Sequence, residues 1–145
     1  MNKLFYKDFE VQKTYDLGVI ALTEKQIIDF AKQFDPLDIH INTTIAEKSL
    51  FKGIVASGSH IFVMFHKDRW IPIFGHTVIC GVELTNWKFL KPVYPDQKIG
   101  GSVTITSIQP NQEKNFALVS WLYKFKDEKN ELVQSLQLII SHNMG

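Results

Sequence analysis

The chain has 145 residues, of which 45% are hydrophobic and 12% aromatic, and 16 basic and 15 acidic side chains give a formal net charge of +1. A chain of this length predicts one domain with a substantial core. The interspersed charges exclude the strongly basic surface that binding to nucleic acid or anionic lipid requires. We therefore expect no nucleic-acid partner and no membrane partner.

The N-terminal sequence indicates the location of the protein in the cell, and the surroundings of the single cysteine indicate its role. The opening MNKLFYKDFE lacks the apolar core of a signal peptide, and no stretch approaches the roughly 18 apolar residues of a membrane span. We expect a cytoplasmic protein. Cys80 is the single cysteine, and because it lies in an apolar run without a metal-ligand partner in sequence, we predict that it is buried in the core.

The N-terminal part of the chain predicts a strand followed by a helix. Residues 5–15 alternate imperfectly and predict an entering strand or an extended segment, and the aliphatic residues at 19–22 predict a short strand. Thr23 and Gln26 form a capping box. The apolar positions that follow recur at helical spacing as far as Phe34. A helix therefore begins after Thr23 and ends at about Phe34.

The loop after this helix carries the most reactive pair of side chains. Pro36 cannot continue a helix and restricts the backbone of Asp35, so Asp35 is presented from a stiff corner. The negative end of the helix dipole disfavours a carboxylate there, which suits a general base. His40 can take the complementary role near neutral pH. On spacing alone, the alternative stays open that Asp35 and Asp38 are turn residues and His40 is a solvated loop histidine.

A second, far more apolar helix is predicted from Ser59 to Trp70, after the small-residue turn at 56–59. A helix that is apolar on every side is buried in the protein. Between the two long helices, Thr43 or Thr44 predicts the cap of a short helix that runs through residue 48.

The remainder of the chain predicts β-structure. Strand-like runs rich in Val, Ile and Thr follow Pro72 at residues 76–90, 98–108, 116–125 and 132–140. The mixed-charge segment 124–131 predicts a hairpin turn. An early helix, a buried helix and then a succession of strands predict an α+β fold.

Three of these stretches resemble the MaoC-like acyl dehydratases, relatives of the (R)-specific enoyl-CoA hydratases. The signature of that family is an Asp and a His five residues apart, written D-x-N-P-x-H or DPxPxH, followed by a glycine that opens a long central helix. In FDPLDIH, Asp35 and His40 match the two catalytic positions, and Gly58 matches the glycine. The stretch NWKFLKPVYPDQ is similar to the family's R-F-x-x-P-V-x-P-G-D strand and turn.

The resemblance implies a fold and a reaction. The fold is a single hot-dog domain over residues 1–145, in which a curved antiparallel β-sheet wraps around the central helix. The reaction is the reversible hydration of a 2-enoyl thioester of CoA or acyl carrier protein to the (R)-3-hydroxyacyl product, in fatty acid metabolism and without a metal or redox cofactor.

Hydration of this kind needs a base for water, a proton donor for Cα and stabilisation of the thioester enolate. We expect Asp35 to be the base, and His40 to be the proton donor and the anchor of the water. The N–H of Gly58, at the positive end of the central helix, is expected to polarise the thioester carbonyl.

Other residues near Gly58 are candidates for substrate binding. Ser57 and Ser59 either bind substrate or cap the helix. His66 falls where some relatives carry a hydroxyl residue that supports the catalytic Asp. Aromatic residues of the central helix either line an acyl tunnel or belong to the core: Phe62, Phe65 and Trp70. No spacing of ligands resembles a zinc or iron site.

Two alternative functions stay open. Leu37 and Asp38 stand where the family usually carries Asn-Pro or Gln-Pro, which favours a non-catalytic hot-dog subunit that binds acyl thioesters or pairs with an active partner. A thioesterase is a weaker alternative, because such hot-dog enzymes usually draw a carboxylate from the central helix, and this helix offers none before Asp68. For either function the resemblance implies a homodimer or a higher homo-oligomer, which would cover an exposed edge strand.

Overall fold

A five-stranded antiparallel sheet is the main feature of the computed structural model, which describes residues 2–145. Its strands are β1 (Thr14–Ile20), β2 (Val78–Phe89), β3 (Ile99–Asn111), β4 (Phe116–Lys126) and β5 (Leu132–Asn143). They lie in the order β1-β3-β4-β5-β2, and each neighbouring pair is antiparallel. β4 is therefore the central strand, and β1 and β2 form the two edges.

The strands confirm the predicted β-structure after Pro72 and correct the prediction for the N-terminus. The four strand-like runs form β2 to β5, with a turn between β4 and β5 inside segment 124–131. The prediction of a strand or extended segment at residues 5–15 is wrong for most of its length. A 3-10 turn forms at Tyr6–Asp8, because the Asp8 carboxylate accepts the Phe5 N–H at 2.9 Å.

Five α-helical segments precede or interrupt this β-structure: α1 (Glu24–Phe34), α2 (Asp38–Ile41), α3 (Thr43–Glu47), α4 (Gly58–Phe65) and α5 (Ile71–Phe74). The predicted capping box of Thr23 and Gln26 is confirmed at the start of α1. The predicted cap of α3 is wrong. Neither threonine caps it, because the side-chain oxygen of Asn42 already accepts the Ile45 N–H at 3.0 Å.

The helix predicted up to Trp70 is longer than expected. α4 continues through a π-helical turn at His66–Trp70 and through α5 into a 3-10 turn at Gly75–Thr77. Pro72 does not end it, although a proline removes one N–H from the helix, and it lies in the first turn of α5 directly after the π-helical turn. We call residues 58–77 the central helix. Within residues 2–145, no helix has the length and apolar character needed to cross a membrane.

Aromatic side chains join the central helix to β4. Three ring pairs with centroids 5.0–5.2 Å apart make this contact: Phe62–Tyr123, Phe65–Phe125 and Trp70–Trp121. A Cβ on Gly101 of β3 would lie 2.6 Å from the Phe65 ring, so a glycine is needed where this ring of the helix packs on the sheet. This packing holds the central helix, including its start at Gly58, in a fixed position over the sheet.

The edge strand β2 is exposed along nearly all of its twelve residues. Its exposed side chains include the apolar Val78, Ile79, Val82 and Leu84. The prediction that Cys80 is buried is therefore wrong, since its thiol is exposed on this strand. The apolar run around Cys80 belongs to a sheet edge that no other described part of the chain covers.

Candidate active site

Asp35 and His40 are brought together by the short connection between α1 and α2. Asp35 caps the C-terminus of α1, where its N–H donates to Ala31 O at 2.8 Å. His40 lies in α2, which begins three residues after Asp35. The carboxylate Oδ2 of Asp35 is 3.5 Å from Nε2 of His40. The two groups therefore face each other across a gap slightly longer than a hydrogen bond.

The imidazole of His40 is oriented by the backbone of the segment that leads into the central helix. Its Nδ1 is 2.6 Å from the carbonyl oxygen of Val55. A carbonyl can only accept, so Nδ1 carries a proton and Nε2 is the nitrogen that faces Asp35. The His40 side chain is 7% exposed and the Asp35 side chain is 36% exposed. The histidine is thus rigidly held, and the carboxylate remains open to solvent and ligand.

Ser57 supports the Asp35 carboxylate. Its hydroxyl donates to Asp35 Oδ2 at 2.6 Å, and its side chain makes no capping bond to the central helix. Of the two roles expected for Ser57, capping is therefore not observed. A hydroxyl does support the carboxylate, but it comes from the turn before the central helix and not from the position of His66.

The first turn of the central helix presents free backbone donors beside this pair. Among residues 2–145, no protein acceptor is present for the N–H groups of Gly58 and Ser59, which lie at the positive end of the helix dipole. The Phe89 ring packs on Gly58 so closely that a Cβ there would lie 2.6 Å from it. Since Phe89 is 59% exposed, its ring has room to move.

These groups line one cavity, which we call the Asp35 cavity, with a volume of about 570 Å³. Its polar lining comprises Asp35, His40, Ser57, Gly58, Ser59, Lys91 and Gln134. Its apolar lining comprises Ile39, Phe51, Val55, Ala56, Ile61, Trp87, Phe89, Leu90, Pro92 and Val93. A few convergent polar groups within apolar walls are typical of a small-molecule site.

Other candidates from the sequence lie elsewhere. Phe62, His66 and Trp70 line a second cavity of about 540 Å³, the His66 cavity, together with residues of β2 and β5. Phe65 is fully buried, so of its two expected roles it has the core one. His66, a candidate for the substrate site, does not line the Asp35 cavity, because its Nδ1 lies 2.8 Å from Tyr123 Oη and its ring stacks on Trp70.

Burial sets the protonation of this second polar pair. Desolvation lowers the pKa of His66, and it raises the pKa of Tyr123 well above its usual value. Both side chains are therefore neutral near pH 7, and their hydrogen bond joins the central helix to β4. Among the described residues, no group of three or more His, Cys, Asp or Glu side chains could hold a metal ion.

Sequence reasoning missed Gln134, a polar residue of the Asp35 cavity. Gln134 is 3% exposed, and its Oε1 accepts the indole N–H of Trp87 at 2.8 Å while its Nε2 donates to Gly58 O at 2.9 Å. One buried amide thus connects the start of the central helix to an aromatic wall of the cavity. The only signal in sequence is a glutamine directly after Val133, inside a strand of mixed polarity.

Comparison with known proteins decides the family. The sequence profile of the MaoC-like domain matches residues 8–121. The chain belongs to the MaoC-like family. This MaoC-like chain is 30% identical over 109 residues to an uncharacterized protein of Bacillus subtilis (strain 168), a match that covers 74% of the chain and 77% of that protein.

Solved structures share the fold of this MaoC-like chain at low identity. A MaoC-like dehydratase from Rhodospirillum rubrum is 23% identical with a TM-score of 0.84, and the match covers 97% of each chain. An (R)-hydratase from Pseudomonas aeruginosa in its unliganded form is 16% identical with a TM-score of 0.80, covering 99% of this chain and 88% of that one. The expected hot-dog fold is confirmed.

Proposed function

We propose that the chain is a hydro-lyase that interconverts a 2-enoyl thioester and the (R)-3-hydroxyacyl thioester, with CoA or acyl carrier protein as the carrier and no metal or redox cofactor. The observation that carries this proposal is the Asp35–His40 pair, 3.5 Å apart, in an open cavity beside unpaired N–H groups of the central helix. Membership of the MaoC-like family supports the class of reaction.

Asp35 is proposed as the base. Ser57 donates to Oδ2, so the carboxylate keeps acceptor sites for a water molecule in the cavity. The water oxygen bonds to Cβ of the enoyl group while one water proton passes to Asp35. The π electrons of the double bond shift toward Cα, and the thioester carbonyl takes up enolate character.

His40 is proposed as the donor of the second proton. Both of its nitrogens face acceptors, Val55 O and Asp35 Oδ2, and only the imidazolium form can donate from both. Nε2 gives its proton to Cα, which completes addition of water across the double bond. The proton on Asp35 then returns to His40, so the pair is restored.

Gly58 is proposed to stabilise the enolate. Its N–H lies at the start of the central helix without a protein acceptor among the described residues, where the helix dipole favours negative charge. A donor fixed before the reaction lowers the energy of the charge that develops on the thioester oxygen. Ser59 is a further candidate to bind the thioester.

A second candidate function is the non-catalytic subunit that binds acyl thioesters or pairs with an active partner. It is favoured by the Phe89 ring, which packs directly on Gly58 and leaves less room for a thioester at the helix start. In this alternative, the Asp35 cavity binds the acyl group without converting it.

We also infer that two copies of the chain form a homodimer through β2. An exposed edge strand of twelve residues with several exposed apolar side chains is covered in natural proteins, since it otherwise invites aggregation. A cytoplasmic location stays a prediction from the sequence.

Hydration of crotonyl-CoA tests the proposed function, followed as loss of the enoyl-thioester absorbance. Asp35→Asn and His40→Ala are each expected to lower kcat by on the order of a hundredfold or more, because each removes one of the two proton-transfer groups. Asp29→Asn is the matched control, since it neutralises an exposed carboxylate on α1 and is expected to retain wild-type activity.

Three outcomes would count against the proposal or part of it. Full activity in both site variants means that the reaction takes place elsewhere. Folded wild-type protein that binds butyryl-CoA but hydrates no enoyl thioester of either carrier supports the non-catalytic subunit. Hydration that yields the (S)-3-hydroxyacyl thioester would contradict the proposed (R)-product.

A further inference from the structure

Two aromatic side chains in contact with each other line the Asp35 cavity and the His66 cavity. Trp87 lines the first cavity and Phe62 lines the second. Their ring centroids are 5.4 Å apart and the rings meet at 74°. Each cavity has a volume above 500 Å³, and the Trp87–Phe62 contact joins the lining of one cavity to the lining of the other.

We propose that this pair, which we call the aromatic wall, ends the acyl-binding site and restricts the enzyme to short-chain enoyl thioesters. This inference rests on the proposed function, because it assumes that an acyl thioester occupies the Asp35 cavity. Trp87 is then the residue that limits the length of the acyl chain, and Phe62 packs against it on the side of the His66 cavity.

The direction of substrate entry follows from the exposure of the cavity lining. Among the lining residues, Leu90 and Lys91 are exposed, whereas Ile61 and Gln134 are 1% and 3% exposed. A CoA or a carrier protein is too large to enter, so it must stay beside the exposed residues. The terminal carbons of the acyl chain therefore point toward the buried residues, among them Gln134, to which the half-buried Trp87 donates its indole N–H.

Hydrogen bonding and packing hold the wall in place. The indole N–H of Trp87 donates to the buried amide of Gln134 at 2.8 Å, and that amide is itself held by Gly58 O at 2.9 Å. Phe62 packs edge-on against Tyr123, with ring centroids 5.2 Å apart. A tryptophan whose polar edge and ring are both engaged does not swing aside without losing these contacts.

The backbone of β2 is irregular at the point where it carries Trp87. The register with β5 shifts between Thr85 and Lys88, and Asn86 adopts a left-handed conformation with φ of 52°. β-bulges re-aim side chains next to functional sites, and asparagine is among the few residues that tolerate this conformation. The bulge directs Trp87 between the two cavities.

The space behind the wall suits a hydrocarbon chain. The His66 cavity is lined mainly by apolar side chains, among them Leu84, Leu138 and Ile140. Leu84 lies on the same strand as Trp87, three residues before it, which places the two cavities within about 10 Å of each other along β2. Removing the indole would therefore extend the acyl site into this second cavity.

Chain-length preference of the Trp87→Ala variant tests the wall. The readout is the ratio of kcat/KM for 2-decenoyl-CoA to kcat/KM for crotonyl-CoA. In the wild type we expect this ratio to be well below one, and Trp87→Ala is expected to raise it at least tenfold, since the longer chain gains apolar surface to bury. Trp87→Phe keeps a ring in the wall but loses the N–H, and it should stay within threefold of the wild-type ratio.

A control variant distinguishes the loss of the aromatic wall from a general loosening of the packing around the His66 cavity. Leu138→Ala enlarges the His66 cavity without opening the wall, and it should leave the ratio unchanged. A ratio that Trp87→Ala does not alter, or that Leu138→Ala alters equally, overturns the inference. So does a wild type that already prefers the longer substrate.

The two proposals fail in distinguishable ways. If crotonyl-CoA is hydrated but Trp87→Ala has the wild-type ratio, only the wall is wrong. If no enoyl thioester is hydrated, calorimetric binding of butyryl-CoA and decanoyl-CoA applies the same test without catalysis. The wall is then supported if Trp87→Ala binds decanoyl-CoA more tightly than the wild type does, while Leu138→Ala does not. Absence of binding for both ligands overturns both proposals.

Discussion

At the scale of single residues, the polar neighbours of Asp35 approach one of its two carboxylate oxygens. Ser57 donates to Oδ2 of the carboxylate at 2.6 Å, and the same oxygen is the one nearest to His40. One hydroxyl therefore orients the carboxylate toward the imidazole. Ser57 acts through Asp35, so we regard it as a positioning residue.

Ser57→Ala should separate positioning from binding. Loss of a hydrogen bond to a charged group costs about 1.5–3 kcal/mol, so kcat is expected to fall by roughly tenfold or more while KM for crotonyl-CoA changes little. Ser107→Ala is the matched control, because it removes a hydroxyl hydrogen bond to Ser120 on the sheet, outside the cavity. Steady-state kinetics measure both, and a change confined to KM would assign Ser57 to substrate binding.

Two buried histidines make the protein sensitive to acid. Burial lowers the pKa of His60 and of His142 to about 4, whereas an imidazole in the unfolded chain titrates near 6.5. Between these values the unfolded chain binds more protons than the folded one, so the free energy of unfolding falls as the pH falls from about 6.5 to 4. The loss is on the order of 3 kcal/mol for each histidine by pH 4.

His60→Phe should reduce this sensitivity. The His60 ring stacks on Phe30 with centroids 4.0 Å apart, and its Nδ1 is buried without a hydrogen-bond partner in the described structure. Phenylalanine keeps the stacked ring and removes the nitrogen that takes up a proton. Urea unfolding at pH 7 and pH 4.5 should show a smaller difference for the variant than for wild type, and an equal difference would contradict the role given to His60.

Contacts of the site were predictable when the two residues lie close together in sequence, and they were not predictable when the residues lie far apart. Asp35 and His40 belong to one loop, so their spacing and Pro36 indicate that they lie close together. The contact between Ser57 and Asp35 spans 22 positions and that between Gln134 and Gly58 spans 76. Contacts of this kind depend on how strands and helices pack, and no local pattern encodes them.

At the scale of elements, a close contact joins the central helix to β3. A Cβ on Gly101 would lie 2.6 Å from the Phe65 ring, and Phe65 is fully buried against Phe125. The ring cannot move aside, in contrast to the exposed ring of Phe89 next to Gly58. The separation between helix and sheet is thus set by the absence of a side chain at residue 101.

Gly101→Ala is expected to lower the free energy of unfolding by about 1–3 kcal/mol through overpacking. Gly81→Ala is the matched control, since a Cβ there would meet nothing within 4 Å, and its stability should stay within about 0.5 kcal/mol of wild type. Chemical denaturation measures both. Equal stability of the two variants would mean that the helix adjusts to the added methyl group.

The positions of the helices and strands in the sequence were more predictable than the burial of their side chains. Periodicity and capping located α1, and runs of β-branched residues located β2 to β5, because these signals are local. Burial was not predictable in the same way. The apolar run around Cys80 is the same whether β2 lies at the centre or at the edge of a sheet, and only the strand order β1-β3-β4-β5-β2 places it at the edge.

At the scale of the whole molecule, the two edges of the sheet differ. β1 has seven residues and two of them are buried, whereas β2 has twelve and none is buried. The longer edge also carries more exposed apolar side chains. This asymmetry favours β2 as the surface that pairs with a second copy.

Val82→Lys should convert the protein from dimer to monomer at micromolar concentration. The charge falls within β2, at a side chain that is 51% exposed in the single chain, and burying it in a dimer carries a large desolvation cost. Val19→Lys is the control, since Val19 is 54% exposed on the opposite edge and should leave the dimer intact. Light scattering after size-exclusion chromatography measures the mass, and a wild-type monomer would contradict the proposed pairing.

The position of Cys80 makes it a natural reporter of the proposed homodimer. It lies on β2 two residues before Val82, and it is the only thiol in the chain. A thiol-reactive dye therefore labels one defined site without any engineering, and pairing through β2 as proposed would cover this thiol, so that the rate of labelling would report dissociation of the proposed dimer. Dilution should accelerate the labelling, so a simple colour reaction can follow subunit exchange in real time.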